Sequence, residues 1–454
     1  MRVKRVAVLP VISSQYTVWK ESGFIIFWKF AREWKDVTVY FVINKDAEIP
    51  AEYNLPNIVY VRVQDWFPFN VNSSVVSSEL YSLFNSINGQ YQVDVLFTSR
   101  TIVGANLARL FTVTPEIRLP VVLHEIWVPK PKDNVNSSEA KLKSIAYSEC
   151  PTFFMTNREE QFAEELAKRY MTPTCLRSIY QNAVVMPNGI NAREIAERAS
   201  SYKKYDKFTL YFAARLNANK QWQKIFEIYE TVCKMNDDVQ VKVVALGEKV
   251  SDDVRKRFSK IEFLDPLPYW EYVELLYRSH LSLSMSVDEG FATGWLEQVL
   301  TGNPVIFPAK DWSRELIGVD YPFRYKNVDE IFALIKWIKQ NYPKAREQVQ
   351  SFAQRVIDKY DIGVTAEKYL QALSDQIAGS YVEFDDWVPK FLKVVGELPD
   401  EFSFEQFIAK AEEMYKATFG TYVILIGAYR NIYMVLRNHT DLILGKPNHF
   451  RKRV

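Results

Sequence analysis

Asp288-Glu289-Gly290-Phe291-Ala292-Thr293-Gly294-Trp295-Leu296-Glu297, followed by Thr301-Gly302-Asn303-Pro304-Val305-Ile306, is the stretch whose reading decides the fold. The apolar run Leu281–Ser284 ahead of it reads as a buried strand, and Pro304–Phe307 after it as another. Between them lie a glycine-bearing loop and a helix. Glu289 falls in the loop, and Glu297 one to two turns into the helix. Glycines in such a loop let the backbone approach a ligand and point N–H groups at it. Two carboxylates placed there can each accept a pair of sugar hydroxyls.

The same strand–helix alternation extends in both directions. Upstream in this half, Thr209–Ala213, Val241–Ala245 and Ile261–Phe263 read as strands and Trp222–Met235 as a helix. The N-terminal half repeats the pattern. Val6–Val11, Val37–Ile43, Ile58–Val63, Val93–Thr98, Val121–His124, Thr152–Met155 and Ala183–Met186 read as strands, with a helix over Phe24–Trp34. The apolar start is short and lacks a small-residue cleavage site, so it reads as a buried first strand rather than a signal peptide. Alternation of this kind builds parallel sheets with helices on both faces, whose ligands bind beyond the carboxyl ends of the strands. A chain of 454 residues exceeds one ordinary core. The polar stretch Glu197–Lys207 reads as a linker, which divides the α/β part into residues 1–196 and 197–379.

A second constellation is Phe212-Ala213-Ala214-Arg215-Leu216-Asn217-Ala218-Asn219-Lys220. Arg215 and Lys220 follow a strand end and precede a helix. Two cations at such a turn suit a diphosphate leaving group and supply the charge stabilisation that a metal would otherwise give.

Taken in order, Arg215, Lys220, Gly247, Glu289, Glu297 and Gly302-Asn303-Pro304-Val305 resemble retaining glycosyltransferase family 4 and its glycogen-synthase-like relatives. Val121-Val122-Leu123-His124 resembles that family's strand ending in a histidine. Val185-Met186-Pro187-Asn188-Gly189-Ile190-Asn191 resembles its signature ahead of the linker. The match covers roughly residues 1–375. It implies a GT-B architecture of two Rossmann-like domains facing an interdomain cleft. It also implies a retaining hexosyltransferase that uses a nucleotide diphosphate sugar, UDP-glucose by family habit, with no cofactor and no metal.

The resemblance assigns roles residue by residue. Arg215 and Lys220 would bind the diphosphate as it leaves, and Glu297 would hold the ribose hydroxyls. Glu289 would contact the donor sugar, with the backbone of Gly290, Phe291, Ala292 and Thr293 helping to place it. Gly247 would line the donor site, and His124 would lie beside the transferred sugar. Three departures stand out. The family's Gly-Gly pair in the first loop is missing from Pro10–Gly23, where Gly23 is the nearest equivalent. Ala292 stands where the family usually has glycine, and Gln221 rather than glycine follows Lys220. Ser99 and Arg100, at the end of the strand Val93–Thr98, are candidate acceptor contacts. His280 reads as structural.

Residues 380–454 have a different character and read as an appended, mainly helical module. Glu383–Glu413 carries nine acids against three bases, and Met414–Val454 seven bases against one acid. Phe404–Tyr415 has helical spacing. Gly427–Arg437 resembles the turn and second helix of a helix-turn-helix, with Arg430, Asn431, Tyr433 and Arg437 facing a partner. Lys446, His449, Arg451, Lys452 and Arg453 would then meet phosphates. This reading makes double-stranded DNA a partner and a hydroxymethylated pyrimidine the leading acceptor. The alternatives are a cell-surface glycan or lipid-linked sugar as acceptor, or a non-catalytic sugar- or nucleic-acid-binding protein. Three scattered cysteines fit a reducing, cytoplasmic setting. Four dispersed histidines show no zinc spacing, and no apolar run approaches a membrane span. The net charge of +2 makes no electrostatic case for a nucleic-acid or membrane partner of the chain as a whole.

Overall fold

The computed structural model describes residues 2–11, 19, 21–64, 93–113, 119–126, 128, 137–171, 176, 179, 182–198, 201–245, 249–380, 392–415, 440–442 and 449–452. Two compact units divide the chain: Met1–Met186 with Glu367–Val454, and Pro187–Ala366.

The first unit holds β1 (Arg5–Leu9), β2 (Thr38–Asn44), β3 (Ile58–Val63), β4 (Val95–Thr98), β5 (Val121–Glu125), β6 (Thr152–Phe154) and β7 (Ala183–Val185). They form one parallel sheet in the order β3-β2-β1-β4-β5-β6-β7. Between the edge strands β3 and β7, the strands are short apolar runs rather than alternating ones, as expected where both faces of the sheet are covered. All five residues of β5 are buried, as are six of the seven in β2. The second unit holds β8 (Phe208–Ala214), β9 (Val239–Ala245), β10 (Ile261–Leu264), β11 (Leu281–Leu283), β12 (Val305–Pro308) and β13 (Arg324–Tyr325) in the order β10-β9-β8-β11-β12-β13. Helices begin where side chains can take up the first N–H groups. Thr156 caps Asn157–Tyr170, Ser251 caps Asp252–Arg257 and Asn327 caps Val328–Gln340.

In the second sheet the sequence order reverses between β8 and β11, which pair directly through Leu281↔Leu210 and Ser282↔Tyr211. Such a reversal marks the usual ligand position in a doubly wound sheet. The first sheet reverses likewise between β1 and β4.

One expectation is corrected. The stretch Glu197–Lys207 does not separate the units. The division falls at Met186/Pro187, because Ile190, Ala192 and Ile195 are fully buried in the core of the second unit. The return crossing falls at Ala366/Glu367, inside the helix Ile362–Ser380. The terminal module, read as mainly helical, also carries a small sheet among its described residues. The helix Phe404–Tyr415 is present, but β14 (Glu401–Ser403), β15 (Thr440–Leu442) and β16 (His449–Lys452) form an antiparallel sheet in the order β14-β16-β15. The β14–β16 pairing, such as Glu401↔Arg451, joins residues far apart in the chain, whereas β15 and β16 pair over about a dozen residues or fewer, as at Leu442↔Phe450. The stretch 427–437, with Arg430, Asn431, Tyr433 and Arg437, lies outside the described residues, as do Lys446 and Arg453.

Candidate functional site

The two motifs meet because their strands are neighbours. Asn219, in the turn after β8, reaches across to the loop after β11. Its Nδ2 donates to the Asp288 carbonyl (2.7 Å), and its Oδ1 accepts from the Asp288 N–H (3.2 Å). Val287 N–H donates to the Asn219 carbonyl at 2.8 Å. The turn itself is shaped by Asn217, whose side chain accepts from Lys220 N–H at 3.2 Å. It ends at Gln221, which is left-handed at φ 49°. Gln221 is the only non-glycine residue with positive φ among those described, and it stands where the resembled family has glycine.

This clasp brings Lys220 onto Glu289. The Lys220 ammonium pairs with Glu289 Oε1, and Trp295 Nε1–H donates to the same oxygen at 3.3 Å. The two side chains are 17% and 10% exposed, so the pair is largely withdrawn from water without being sealed off. Arg215, five residues earlier, is exposed at the carboxyl end of β8. Gly290 is exposed, and Ala292 caps the helix Thr293–Leu300, whose Thr293 N–H turns back to the Phe291 carbonyl at 2.9 Å. Phe291 packs on Tyr360 with ring centroids 5.2 Å apart. Lys310 Nζ closes the loop from the β12 side by donating to the Val287 carbonyl at 3.0 Å.

Glu297 is buried in the same helix. Its Oε1 accepts from the Tyr269 hydroxyl (2.9 Å) and its Oε2 from the Tyr272 hydroxyl (3.0 Å). Gly302, left-handed at φ 69°, terminates this helix. Asn303 anchors the following turn, donating to the Leu276 carbonyl at 2.6 Å and accepting from Tyr342 at 3.0 Å. The Gly-Asn-Pro motif is therefore a helix stop and an anchor. Sequence reading missed Asn219, Trp295, Tyr269, Tyr272 and Lys310. Only Asn219 and Trp295 lay inside quoted motifs, where their presence was the available signal. Gly247 lies outside the described residues.

The candidates of the first unit have other surroundings. His124 is wholly buried among Phe27, Phe97 and Tyr369. The Tyr369 hydroxyl donates to the Met186 carbonyl at 2.6 Å, so toward His124 Nε2, 3.0 Å away, it can only accept. Nε2 therefore carries the hydrogen. Ser99 Oγ accepts from Val11 N–H at 2.8 Å, and burial of Arg100 lowers its guanidinium from its ordinary value. Gly23, in the first turn of the helix Ser22–Glu33, lies against the protein's own backbone. A Cβ there would sit 2.3 Å from the Val11 carbonyl oxygen. Gly189 is similar, since its Cβ would meet Thr365 and Ile362. His280, as expected, is structural. Its Nδ1 accepts from Thr209 N–H at 3.1 Å, and burial with the nearby charges of Lys204 and Arg346 lowers it to about 4. In the terminal sheet Arg451 pairs with Glu401 at 2.5 Å, and Lys452 Nζ donates to the Gly396 carbonyl at 3.0 Å.

Among the described residues no cluster of His, Cys, Asp and Glu is arranged to hold a metal ion, and no helix is long and apolar enough to cross a membrane. No protein-family model and no curated protein matches the sequence. Solved structures do match. Anabaena HepE in complex with UDP and glucose aligns with TM-score 0.59 and 13% identity, over 82% of this chain and 99% of its own. Sucrose-phosphate synthase from Thermosynechococcus elongatus aligns with TM-score 0.61 and 11% identity, over 83% and 99%. A glycosyltransferase from Rickettsia africae aligns with TM-score 0.60 and 13% identity, over 83% and 99%. The chain has the GT-B fold. Within it, the β8 and β11 loops bring Lys220 and Glu289 together, with Arg215 exposed at the carboxyl end of β8 and Glu297 in the helix that follows the β11 loop. His124, Ser99, Arg100 and Gly23 belong to the other GT-B unit.

Proposed function

We propose that this chain is a retaining glycosyltransferase that moves a hexose from a nucleotide diphosphate sugar to a hydroxyl acceptor without a metal. The observation that carries the reading is the Lys220–Glu289 pair, clasped by Asn219 at the switch point of a GT-B unit with Arg215 exposed beside it. A glycosyl donor breaks its bond by releasing a diphosphate. Two cations fixed at a strand–helix turn lower the energy of that charge as it develops, with no reorganisation at the moment of reaction. The N-terminus of the helix Thr293–Leu300 adds dipole of the right sign. Glu289, its Oε1 already oriented by Lys220 and Trp295, accepts hydroxyls of the sugar. Glu297 accepts the vicinal hydroxyls of the ribose. The leaving diphosphate stays on the face from which the acceptor attacks, and the anomeric configuration is retained.

The fold neighbour that holds UDP and glucose supports UDP-glucose as the donor to test first. Two cations of the basic tail have partners inside the terminal module, Arg451 on Glu401 and Lys452 on Gly396. A hydroxymethylated pyrimidine in DNA therefore enters as one acceptor in a panel with glycans and lipid-linked sugars. The proposed setting is cytoplasmic, where nucleotide sugars are made and the buried thiols Cys150 and Cys233 stay reduced. The test is release and transfer of radiolabelled glucose from UDP-glucose by the full chain. Slow donor hydrolysis that Glu289→Ala and Arg215→Ala abolish supports the reading. Hydrolysis unchanged in both variants removes it. Label in hydroxymethylated but not unmodified DNA, lost in a chain ending at Gly379, would assign the DNA acceptor.

A further inference from the structure

The carboxylate of Glu297 is 4% exposed, and both of its oxygens receive phenol donors from one neighbouring helix, Tyr269–Arg278. The donors Tyr269 and Tyr272 are three residues apart in the first turn, so their rings leave the helix on one side, with centroids 6.1 Å apart. They differ in environment. Tyr272 is 7% exposed, whereas Tyr269 stands at the rim, 37% exposed. Burial and the charge of Glu297 hold the Tyr272 hydroxyl well above its ordinary value, so it remains a protonated donor at any working pH.

A carboxylate free to rotate about its last bond offers hydroxyls no fixed target. One donor on each oxygen fixes its plane. A carboxylate has about four acceptor sites, so two phenols orient it without exhausting it. Two vicinal hydroxyls presented to such a group meet acceptors whose directions are already set, and a sugar that lacks one of them leaves a buried acceptor short of a donor.

We propose that Tyr269 and Tyr272 are positioning residues that set the Glu297 carboxylate to select a ribose over a 2′-deoxyribose nucleotide. The inference rests on the reading of Glu297 as the ribose ligand. The experiment is calorimetric titration of the full chain with UDP, ADP and GDP, then of the tightest binder against its 2′-deoxy counterpart, in the wild type, Tyr269→Phe, Tyr272→Phe and Glu297→Gln. The expected wild-type preference for the ribonucleotide is about tenfold or more. Each phenylalanine variant loses most of that preference and raises the donor KM, while kcat for donor hydrolysis stays within about twofold. A merely structural role would weaken both nucleotides equally and leave the ratio intact. Tyrosine variants that keep the wild-type ratio while Glu297→Gln loses it overturn this inference and spare the site. A wild type that binds none of the three nucleotides, or a Glu297→Gln variant with an unchanged ratio, overturns both readings. Tyr272→Phe removes a buried hydroxyl. If that variant does not fold, the rim variant Tyr269→Phe decides alone.

Discussion

Replacing Lys220 with methionine separates what the Lys220–Glu289 pair does for the fold from what it does for chemistry. The substitution keeps an unbranched side chain, one atom shorter, and removes its charge, while the Trp295 Nε1–H still donates to Glu289 Oε1. Breaking a fully buried ion pair from one side costs about 3–5 kcal/mol, and an exposed pair is worth about 0–1 kcal/mol. Exposures of 17% and 10% place this pair between those limits, and the retained indole donor lowers the cost further. We expect about 2 kcal/mol of destabilisation. In a unit spanning Pro187–Ala366 that corresponds to a fall of about 4–8 °C in the transition temperature.

The decisive variant is the double replacement Lys220→Met with Glu289→Gln. Neutralising the carboxylate removes the charge that has lost its lysine, so calorimetry should show the transition returning to within about 2 °C of the wild type. Donor hydrolysis should not return. It falls by about 10²–10³ in Lys220→Met, as for loss of one preorganised donor to a developing charge, and stays there in the double variant. A single variant that melts with the wild type would refute the claim that Glu289 depends on this cation. A double variant with restored stability and restored hydrolysis would show that the pair only holds the loop.

Three further outcomes follow from the geometry. Gln221→Gly relieves a left-handed backbone and should stabilise the second unit by about 0.5–1 kcal/mol in thermal unfolding, the small net of strain relief over glycine's entropy. Gly23→Ala drives a methyl into the Val11 carbonyl, a backbone atom that cannot swing away, and should destabilise the first unit by about 1–3 kcal/mol. His280 is lowered from 6.5 to about 4 in the fold, so the unfolded chain binds the extra proton first as pH drops. Stability should be full above pH 6.5 and decline toward pH 4, by about 2 kcal/mol after discounting for solvent screening, and His280→Asn should flatten that stretch of the urea-midpoint profile.

The architecture was legible where burial alone writes the pattern. The strand Ile58–Val63 and the helices Trp222–Met235 and Phe404–Tyr415 lie where their periodicity puts them. The terminal sheet was not legible, because β14, β15 and β16 have three or four residues each and β14 pairs with β16 across about fifty residues of chain, as at Glu401↔Arg451. The unit boundary was misread because polarity was taken for exposure. Arg198 of the supposed linker lies 3.6 Å over the Trp270 ring, and Lys204 donates to the Tyr277 and Ser279 carbonyls and to Asn303. Those charges serve contacts within the second unit rather than solvation.

The candidate site divides along the same line. Arg215, Lys220 and Glu289 could be found by spacing because each lies just beyond the end of a strand at one switch point, where chain order and space agree, and Glu297 follows in the next helix. Tyr269 and Tyr272 precede Glu297 by 28 and 25 residues, on a helix whose facing is decided only by packing. Glycine misled in the opposite sense. Gly23 and Gly189 are required by close approach of the chain to itself, whereas at Gln221 the backbone is left-handed and glycine is absent. Strain of that kind persists where surrounding structure over-determines it. Here the Asn217 and Asn219 bonds on the preceding turn do so, and they also deliver Lys220 to Glu289. The departure from the family pattern at Gln221 thus falls at the hinge of the constellation, and the clasp compensates for it.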